Sequence, residues 1–354
     1  MKISRRTSLS LFTGLFLSAL ALFGAPARAD EVVVKLGTSA PVGSIWHQLL
    51  KEAAQKWDAT TGGRVKLRIF AGGTMGNEGD MIKKMRIGQL QAAAVSTIAL
   101  HEIVRDPKGG GDSAFDPLAL DLPFVIQSPE EREYVLSKLG AQFEKALFDR
   151  GFVVLNWSEI GFVRFFSTEA RPTVADMQKA KIFSWEGDPA STDAWRTAGF
   201  QPVVLSSTDI VPSLQTGMIN AVAYPPTVVL AARINDKAKF MLDMVLSSLT
   251  GSLIIDRKTW ERIPEADRSN LLGIARELGK RTVDASRKME REALDKMKAQ
   301  GLQVVGGANV DDWRKAWGAA TPAIRGKVVP GPVLDQVSKL AAEYRAQHST
   351  KSAK

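Results

Sequence analysis

Short β-branched runs alternate with helical stripes along most of this chain, and that alternation constrains the fold more than any other feature. Val32-Val33-Val34-Lys35-Leu36-Gly37 reads as a first strand. Pro41, Gly43 and Ser44 form a turn, with Ser44 placed to cap a helix. Trp46, Leu49, Leu50, Ala53 and Trp57 recur at helical spacing and predict a helix from about Ile45 to Thr60, stopped by Gly62-Gly63. Val65, Leu67 and Ile69 alternate with basic residues, as in a strand with one buried face. A glycine-rich loop over Phe70–Asn77, a helix over Glu78–Ile87 ended by Gly88, and a small apolar strand over Gln91–Ser96 follow. The order β-α-β-α-β predicts an α/β domain with parallel strands.

The pattern restarts after about Asn156. Phe152–Asn156 and Phe162–Phe166 read as two strands, and Lys181–Trp185, Pro202–Leu205 and Ala221–Tyr224 as three more. Helices begin at Thr173 and Pro189, and another over Ile210–Thr216 is capped by Thr208 or Asp209 and ended by Gly217. A second α/β lobe is therefore expected. Between the two, Ser128-Pro129-Glu130-Glu131 is a helix start and Asp106–Asp116 a glycine-rich surface loop. The longest helix opens at Pro264-Glu265 and closes at Gly301, with Leu271, Ile274, Ala275, Leu278, Ala285, Met289 and Met297 along one stripe. At 1.5 Å per residue its length is roughly 54 Å, longer than one lobe of this size, so it should bridge both. The tail beyond Gln347 is polar and expected to fray.

The first residues have a different character. Lys2, Arg5 and Arg6 precede an apolar run from Leu9 to Phe23, then Ala27-Arg28-Ala29 and Asp30. This is the layout of a cleaved export signal over residues 1–29, its apolar run being short of the ~20 residues that span a bilayer. Ser4-Arg5-Arg6-Thr7-Ser8-Leu9 is similar to a twin-arginine motif, with Ser8 where a large apolar residue is usual; an ordinary secretory signal is the other route. Cleavage would remove four basic residues and no acid, taking the net charge from +9 to +5. That charge gives no case for nucleic-acid binding. The chain has no cysteine, which excludes disulfides, thiolate metal sites and a cysteine nucleophile.

Catalytic signatures are missing. The three histidines, His47, His101 and His348, form no metal-binding spacing. There is no nucleophile elbow and no phosphate-binding loop, and Gly109-Gly110-Gly111 is flanked by Asp106 and Asp112, which would repel an anion. Neither metal nor cofactor is expected. An exported two-lobe α/β chain without catalytic groups points to a clamshell that closes on a small ligand.

Four stretches then resemble a known family, the DctP-like solute receptors of tripartite ATP-independent periplasmic (TRAP) transporters. They are Gly73-Thr74-Met75-Gly76-Asn77-Glu78 with Met85-Arg86-Ile87-Gly88; Leu120-Asp121-Leu122-Pro123-Phe124-Val125; Gly161–Ser167 with Arg171-Pro172-Thr173 and Asp176-Met177; and, most specific, Ser213-Leu214-Gln215-Thr216-Gly217-Met218-Ile219-Asn220. The resemblance covers nearly all of residues 31–345. It implies an α/β two-lobe periplasmic binding protein, a type II-like clamshell with a long lobe-spanning helix. Lobe 1 is expected over 30–157 and lobe 2 over 158–248, with a return to lobe 1 over 249–290 and C-terminal helices on lobe 2 over 291–354. It further implies a periplasmic, monomeric, non-enzymatic receptor that hands a small organic solute to the small and large subunits of a membrane permease. A receptor for an ATP-driven importer and an exported hydrolase are the alternatives.

The departures bear on the solute. Where the family has an arginine that forks a substrate carboxylate, this chain has Phe183, and Tyr224 stands at the ligand-facing asparagine. Arg164 lies one residue from a second family arginine; on a strand one residue is the opposite face, so it is either a replacement anchor or a solvated strand residue. Trp185 either stacks on a ligand ring or packs in the core. Asp188 either accepts from ligand hydroxyls or caps a helix. Glu78, Ser96, Thr97, Phe124, Ser44, His47 and Gln215 complete the expected ligand set, each with a capping, packing or solvent-facing alternative. The solute is expected to be an organic acid or an aromatic or hydroxylated compound.

Overall fold

The computed structural model describes residues 31–105, 113–186, 189–206, 209–307 and 309–349. The export segment and most of the Asp106–Asp116 loop therefore lie outside the described residues. The chain runs β1 (Val32–Thr38), α1 (Ile45–Thr60), β2 (Val65–Phe70), α2 (Glu78–Arg86), β3 (Ala92–Ser96), α3 (Thr97–Val104), a 3-10 turn at Pro117–Leu120, α4 (Pro129–Asp149) and β4 (Phe152–Ser167). Next come α5 (Val174–Gln178), β5 (Lys181–Trp185), α6 (Pro189–Thr197), β6 (Gln201–Leu205), α7 (Ile210–Thr216), β7 (Ala221–Tyr224), α8 (Pro226–Ala231) and a 3-10 turn at Ile234–Asp236. The last part holds β8 (Phe240–Leu242), β9 (Ser247–Asp256), α9 (Arg257–Arg262), α10 (Glu265–Ala299), β10 (Gln303–Val305), α11 (Val310–Gly318), α12 (Thr321–Ile324) and α13 (Gly331–Ser349). The α13 helix carries the chain as a helix past the point where fraying was expected.

The strands form one path, β2-β1-β3-β9-β4-β7-β5-β6, with β8 on β4 and β10 on β8. The outer strands pair in parallel, as the βαβ units require: β1 with β2 and β3, and β5 with β6 and β7. The middle does not. Here β4 and β9 run antiparallel to each other, with β3 antiparallel to β9 and β7 antiparallel to β4. The two strands expected at Phe152–Asn156 and Phe162–Phe166 are the ends of this one long β4. Between them Trp157, Ser158 and Glu159 all pair with β9. The strand is bulged twice, between Val154 and Asn156 and between Glu159 and Gly161, and each bulge shifts the phase of the side chains that follow.

Helices cover both faces at each end of the path. Trp57, Leu36, Val34 and Leu271 are buried in one cluster of the β2-β1-β3 end, and Met81, Leu100, Phe152 and Ile254 in another. At the β7-β5-β6 end, Phe165, Ile182, Phe200 and Trp313 share one cluster and Phe166, Phe183, Ile219 and Met297 another.

The 35-residue α10 joins these ends. Its Leu271, Ala275 and Leu278 pack in the same cluster as Trp57, and its Met297 in the cluster of Phe166. Arg64 donates a fork of hydrogen bonds to Asp267 in its first turn, at 2.8 to 3.1 Å. Farther along, the Asn156 amide donates to the Ala275 carbonyl at 2.7 Å, and the Ser286 hydroxyl donates to the Glu159 carbonyl at 2.6 Å. Helix and central strand approach so closely that a Cβ on Gly279 would lie 2.6 Å from the Trp157 carbonyl oxygen and 2.9 Å from the Asn156 Cβ.

Candidate ligand site

Register places four of the candidate side chains, with Phe166, relative to one another. Arg164 pairs with Tyr224 and Phe166 with Val222 across β4 and β7. Ile182 pairs with Ala221 across β5 and β7. Because side chains alternate along a strand, Arg164, Phe166, Tyr224, Phe183 and Trp185 share one face. The second bulge of β4 lies just ahead of Arg164, so the count of residues along the strand does not by itself give its face. Gly161 ends that bulge at φ 152°, and a Cβ there would meet Pro225 at 2.9 Å.

On this face Phe183 and Tyr224 stack, with ring centroids 5.8 Å apart and planes 27° apart. Phe183 is buried and Trp185 packs partly buried against the same cluster. Burial pushes the Tyr224 phenol up to about 12, so it stays a neutral hydrogen-bond donor at any physiological pH.

Arg164 is partly buried and only loosely paired. Its side chain is 18% exposed and reaches Glu290 of α10 and Asp243 only at 3.8 Å, beyond hydrogen-bond length. Its Nε is buried with no acceptor within 3.5 Å, and the Glu290 carboxylate at 3.8 Å, long for a hydrogen bond, still shares its charge with the guanidinium. Arginine has five donors in a fixed fork, and buried donors are normally satisfied. Arg132 and Arg171, more deeply buried and likewise unpartnered at Nε, each donate from Nη1 to a backbone carbonyl, at 2.7 and 2.6 Å.

The other candidates are engaged locally. Glu78, first residue of α2, accepts from the Ser96 N–H at 3.1 Å and the Ser96 hydroxyl at 2.6 Å, and burial raises its carboxyl above the usual range. Thr97 donates to Asp121 at 2.5 Å. Ser44 caps α1 by accepting from the His47 N–H at 3.3 Å, and the His47 Nδ1 accepts from the Gly43 N–H at 3.0 Å. Phe124 is a non-glycine residue at φ 63°, pinned by its N–H to the Leu246 carbonyl at 2.7 Å and packed with Val163 and Leu122. Gln215 is exposed on α7, which leads into the opposite end of β7 from Tyr224. Its motif has a structural job nearby: Gly217 ends α7 at φ 72°, and the Asn220 side chain accepts from the Lys181 N–H at 2.8 Å. Asp188 lies outside the described residues.

Two buried acids escaped the sequence reading. Asp121 accepts from the Ser248 hydroxyl and from both the N–H and the hydroxyl of Thr250, at 2.7 to 2.8 Å, beside its bond from Thr97; burial raises its carboxyl. It ties the Leu120–Val125 segment to β9 and α3. Glu159 is fully buried and faces Arg132 at 3.1 Å and Arg287 at 3.9 Å. Burial raises the Glu159 carboxyl and lowers the Arg132 guanidinium, each held against burial by the other's charge. The Ser286 hydroxyl that bonds the Glu159 carbonyl also accepts from Trp46 Nε1 at 3.3 Å. The first turn of α1 therefore abuts α10 one turn from Glu290, the residue facing Arg164.

With this geometry in hand, the comparisons are decisive on kinship. The profile of the bacterial extracellular solute-binding proteins, family 7 (DctP), matches residues 36–324. The chain belongs to this family. Among family relatives, the 2,3-diketo-L-gulonate-binding periplasmic protein YiaO of Escherichia coli is 23% identical over 303 residues, covering 84% of this chain and 87% of YiaO. Solved TRAP periplasmic solute-binding proteins share the fold. One from Ochrobactrum anthropi has TM-score 0.78 at 21% identity, covering 91% of this chain and 98% of its own. One from Pseudomonas putida with bound D-glucuronate has TM-score 0.75 at 20% identity, covering 88% and 96%. Family 7 proteins bind solutes rather than transform them, so this chain is a binding protein and not an enzyme. Among the described residues no helix is long and apolar enough to cross a membrane, and no cluster of three or more His, Asp or Glu is placed to hold a metal.

Proposed function

We propose that this family 7 protein is the periplasmic receptor of a TRAP transporter and binds one small organic acid between two α/β lobes. The export segment 1–29 would be removed, and the monomeric receptor would hand its solute to the paired membrane subunits of the permease. The reading takes residues 30–157 and 158–248 as the lobes, with 249–290 returning to the first and 291–354 packing on the second. Arg164 grips the solute carboxylate, and Phe183, Tyr224 and Trp185 form an aromatic wall against its body. The observation that carries this is the Arg164 guanidinium, largely buried, on the aromatic face and only loosely paired. Such a group pairs well with a bidentate anion. Related proteins whose solutes are known lend support: D-glucuronate is bound in the P. putida protein, L-gulonate in one from Haemophilus influenzae, and 2,3-diketo-L-gulonate is the solute in the name of YiaO.

The aromatic wall favours a flat or apolar body over a fully hydroxylated one, because no charged group replaces the family arginine at Phe183. A thermal-shift screen of the chain without residues 1–29, against sugar acids, aromatic acids, dicarboxylates and polyols, tests the reading. A ligand at a hundredfold its Kd stabilises the folded state by about 2.7 kcal/mol. Carboxylates are expected among the hits and aromatic acids as the strongest. Hits confined to neutral polyols would overturn Arg164 as the anchor.

A further inference from the structure

The pair formed by Arg164 and Glu290 has a consequence for how a carboxylate can bind, and it rests on Arg164 being the anchor. Glu290 sits on α10 with 13% of its side chain exposed, and its Oε1 is 3.8 Å from Arg164 Nε. Its other oxygen lies beside the bulge of β4, 3.9 Å from where a Cβ on Gly161 would stand. The charged groups around it are few. From β4 come Arg164 and the buried Glu159; from the turn after β8 comes Asp243, which reaches Arg164 and not Glu290; from its own helix come Arg287, held by Glu133 at 2.7 Å, and Arg291. From the segment before α8 comes only Pro225. Arg164 is thus the main positive neighbour of a buried acid that already has a second buried acid nearby.

A solute carboxylate forked by the Nη groups of Arg164 would stand as a second anion beside Glu290, whose Oε1 faces Nε of the same guanidinium at 3.8 Å. We propose that the bound carboxylate takes over the charge of Arg164, and that Glu290 accepts a proton from solvent. An ionised Glu290 left beside a second anion in a half-buried site would face both desolvation and like-charge repulsion, and a carboxylate so placed is neutralised. Burial already raises the Glu290 carboxyl before any ligand arrives, against the opposing charge of Arg164. The protonated acid keeps a donor with which to meet the ligand. The receptor would therefore bind solute and proton together. Affinity would rise as pH falls through the window between the free and the liganded Glu290, by up to about tenfold per pH unit for one proton.

Isothermal titration of the chain without residues 1–29, with D-glucuronate and with benzoate, reads this directly. At one pH near neutrality, runs in phosphate and in Tris differ in apparent enthalpy by the buffer ionisation heat times the protons exchanged. Net uptake of up to one proton is expected, together with affinity that rises as the pH is lowered, by at most about tenfold per unit. Glu290→Gln should bind both in a pH-independent manner, with no uptake and with affinity at about pH 8 no weaker than the parent. Carboxylate binding with no proton exchange in the parent protein overturns the proposal and leaves the receptor reading standing. Uptake that survives in Glu290→Gln also overturns it and moves the proton to another acid, with Glu159 the nearest. Failure of both acids, and of every other carboxylate in the thermal screen, overturns the anchor reading and this proposal together.

Discussion

Arg164 is the anchor of the proposed site, and its two ion-pair contacts are both at 3.8 Å. Hydrogen bonds to charged groups are worth about 1.5–3 kcal/mol. Arg164→Ala should therefore weaken carboxylate binding by about 10- to 100-fold in titration calorimetry, with Arg164→Lys intermediate because a point charge replaces the fork. Arg132 and Glu159 behave in the opposite way. Both are essentially inaccessible, and removing one partner strands a buried charge. Arg132→Met or Glu159→Gln should each destabilise the fold by about 3–5 kcal/mol in urea titrations, whereas the double variant Arg132→Met with Glu159→Gln should recover part of that loss. A double variant as unstable as the sum of the singles would show that the two residues act separately. Phe183, Tyr224 and Arg164 could be named from the sequence because their departures from the family pattern are visible in it. Their common face could not, because it depends on a bulge that leaves no mark in composition.

At the scale of elements, α10 and β4 decide how the two ends of the sheet are joined. The helix is legible in sequence from its stripe and its Pro264 and Gly301 boundaries, since helical spacing is a local property. Its contact with β4 is not local, and Gly279 is where the two approach most closely. Gly279→Ala puts a methyl within 3 Å of backbone and of Asn156, so the helix must move away from the strand. A loss of about 1–3 kcal/mol is expected, in spite of the better helix propensity of alanine. Denaturant unfolding measures this, and a variant as stable as the parent would mean that helix and strand slide freely past each other. The central strands were partly missed for a related reason: β9 and the middle of β4 carry Ser, Thr, Asn and Glu, whose hydroxyls and amide find partners on each other and on the Leu120–Asp121 turn while Glu159 faces Arg132. The Ser252 hydroxyl donates to the Asn156 carbonyl, and the Ser248 hydroxyl to the Leu120 carbonyl, at 2.9 and 3.0 Å. Such strands show no apolar alternation to read.

For the molecule as a unit, five acids held away from solvent should set the pH profile. Burial raises the carboxyls of Glu78, Asp121, Glu131, Glu159 and Glu290 above their ordinary range. In the window from the ordinary carboxylate range upward, the folded state then holds more protons than the unfolded one, so their contribution to stability falls as pH rises through the folded values. The exposed Glu52 opposes this: Arg281 and Lys56 hold it down to about 2, and its contribution is lost only in strong acid and is screened by salt. In about 0.5 M salt the melting temperature of the unliganded protein should be higher at about pH 5.5 than at about pH 8. A flat or rising profile toward alkaline pH would mean these carboxyls are solvated in solution.

The α/β class, the βαβ units at either end, the long helix and the family are legible in the chain's own order of residues, because strand and helix periodicity, caps and short motifs are written over a few consecutive residues. Tertiary structure alone decided that the centre of the sheet is antiparallel, that Arg164 shares a face with Tyr224 and Phe183, and that Glu290 is its neighbour. Each of these joins residues tens of positions or more apart, through strand register, a bulge and the line that α10 takes across β4. Those distances close only when the buried clusters at the two ends of the sheet form, and no local pattern encodes them.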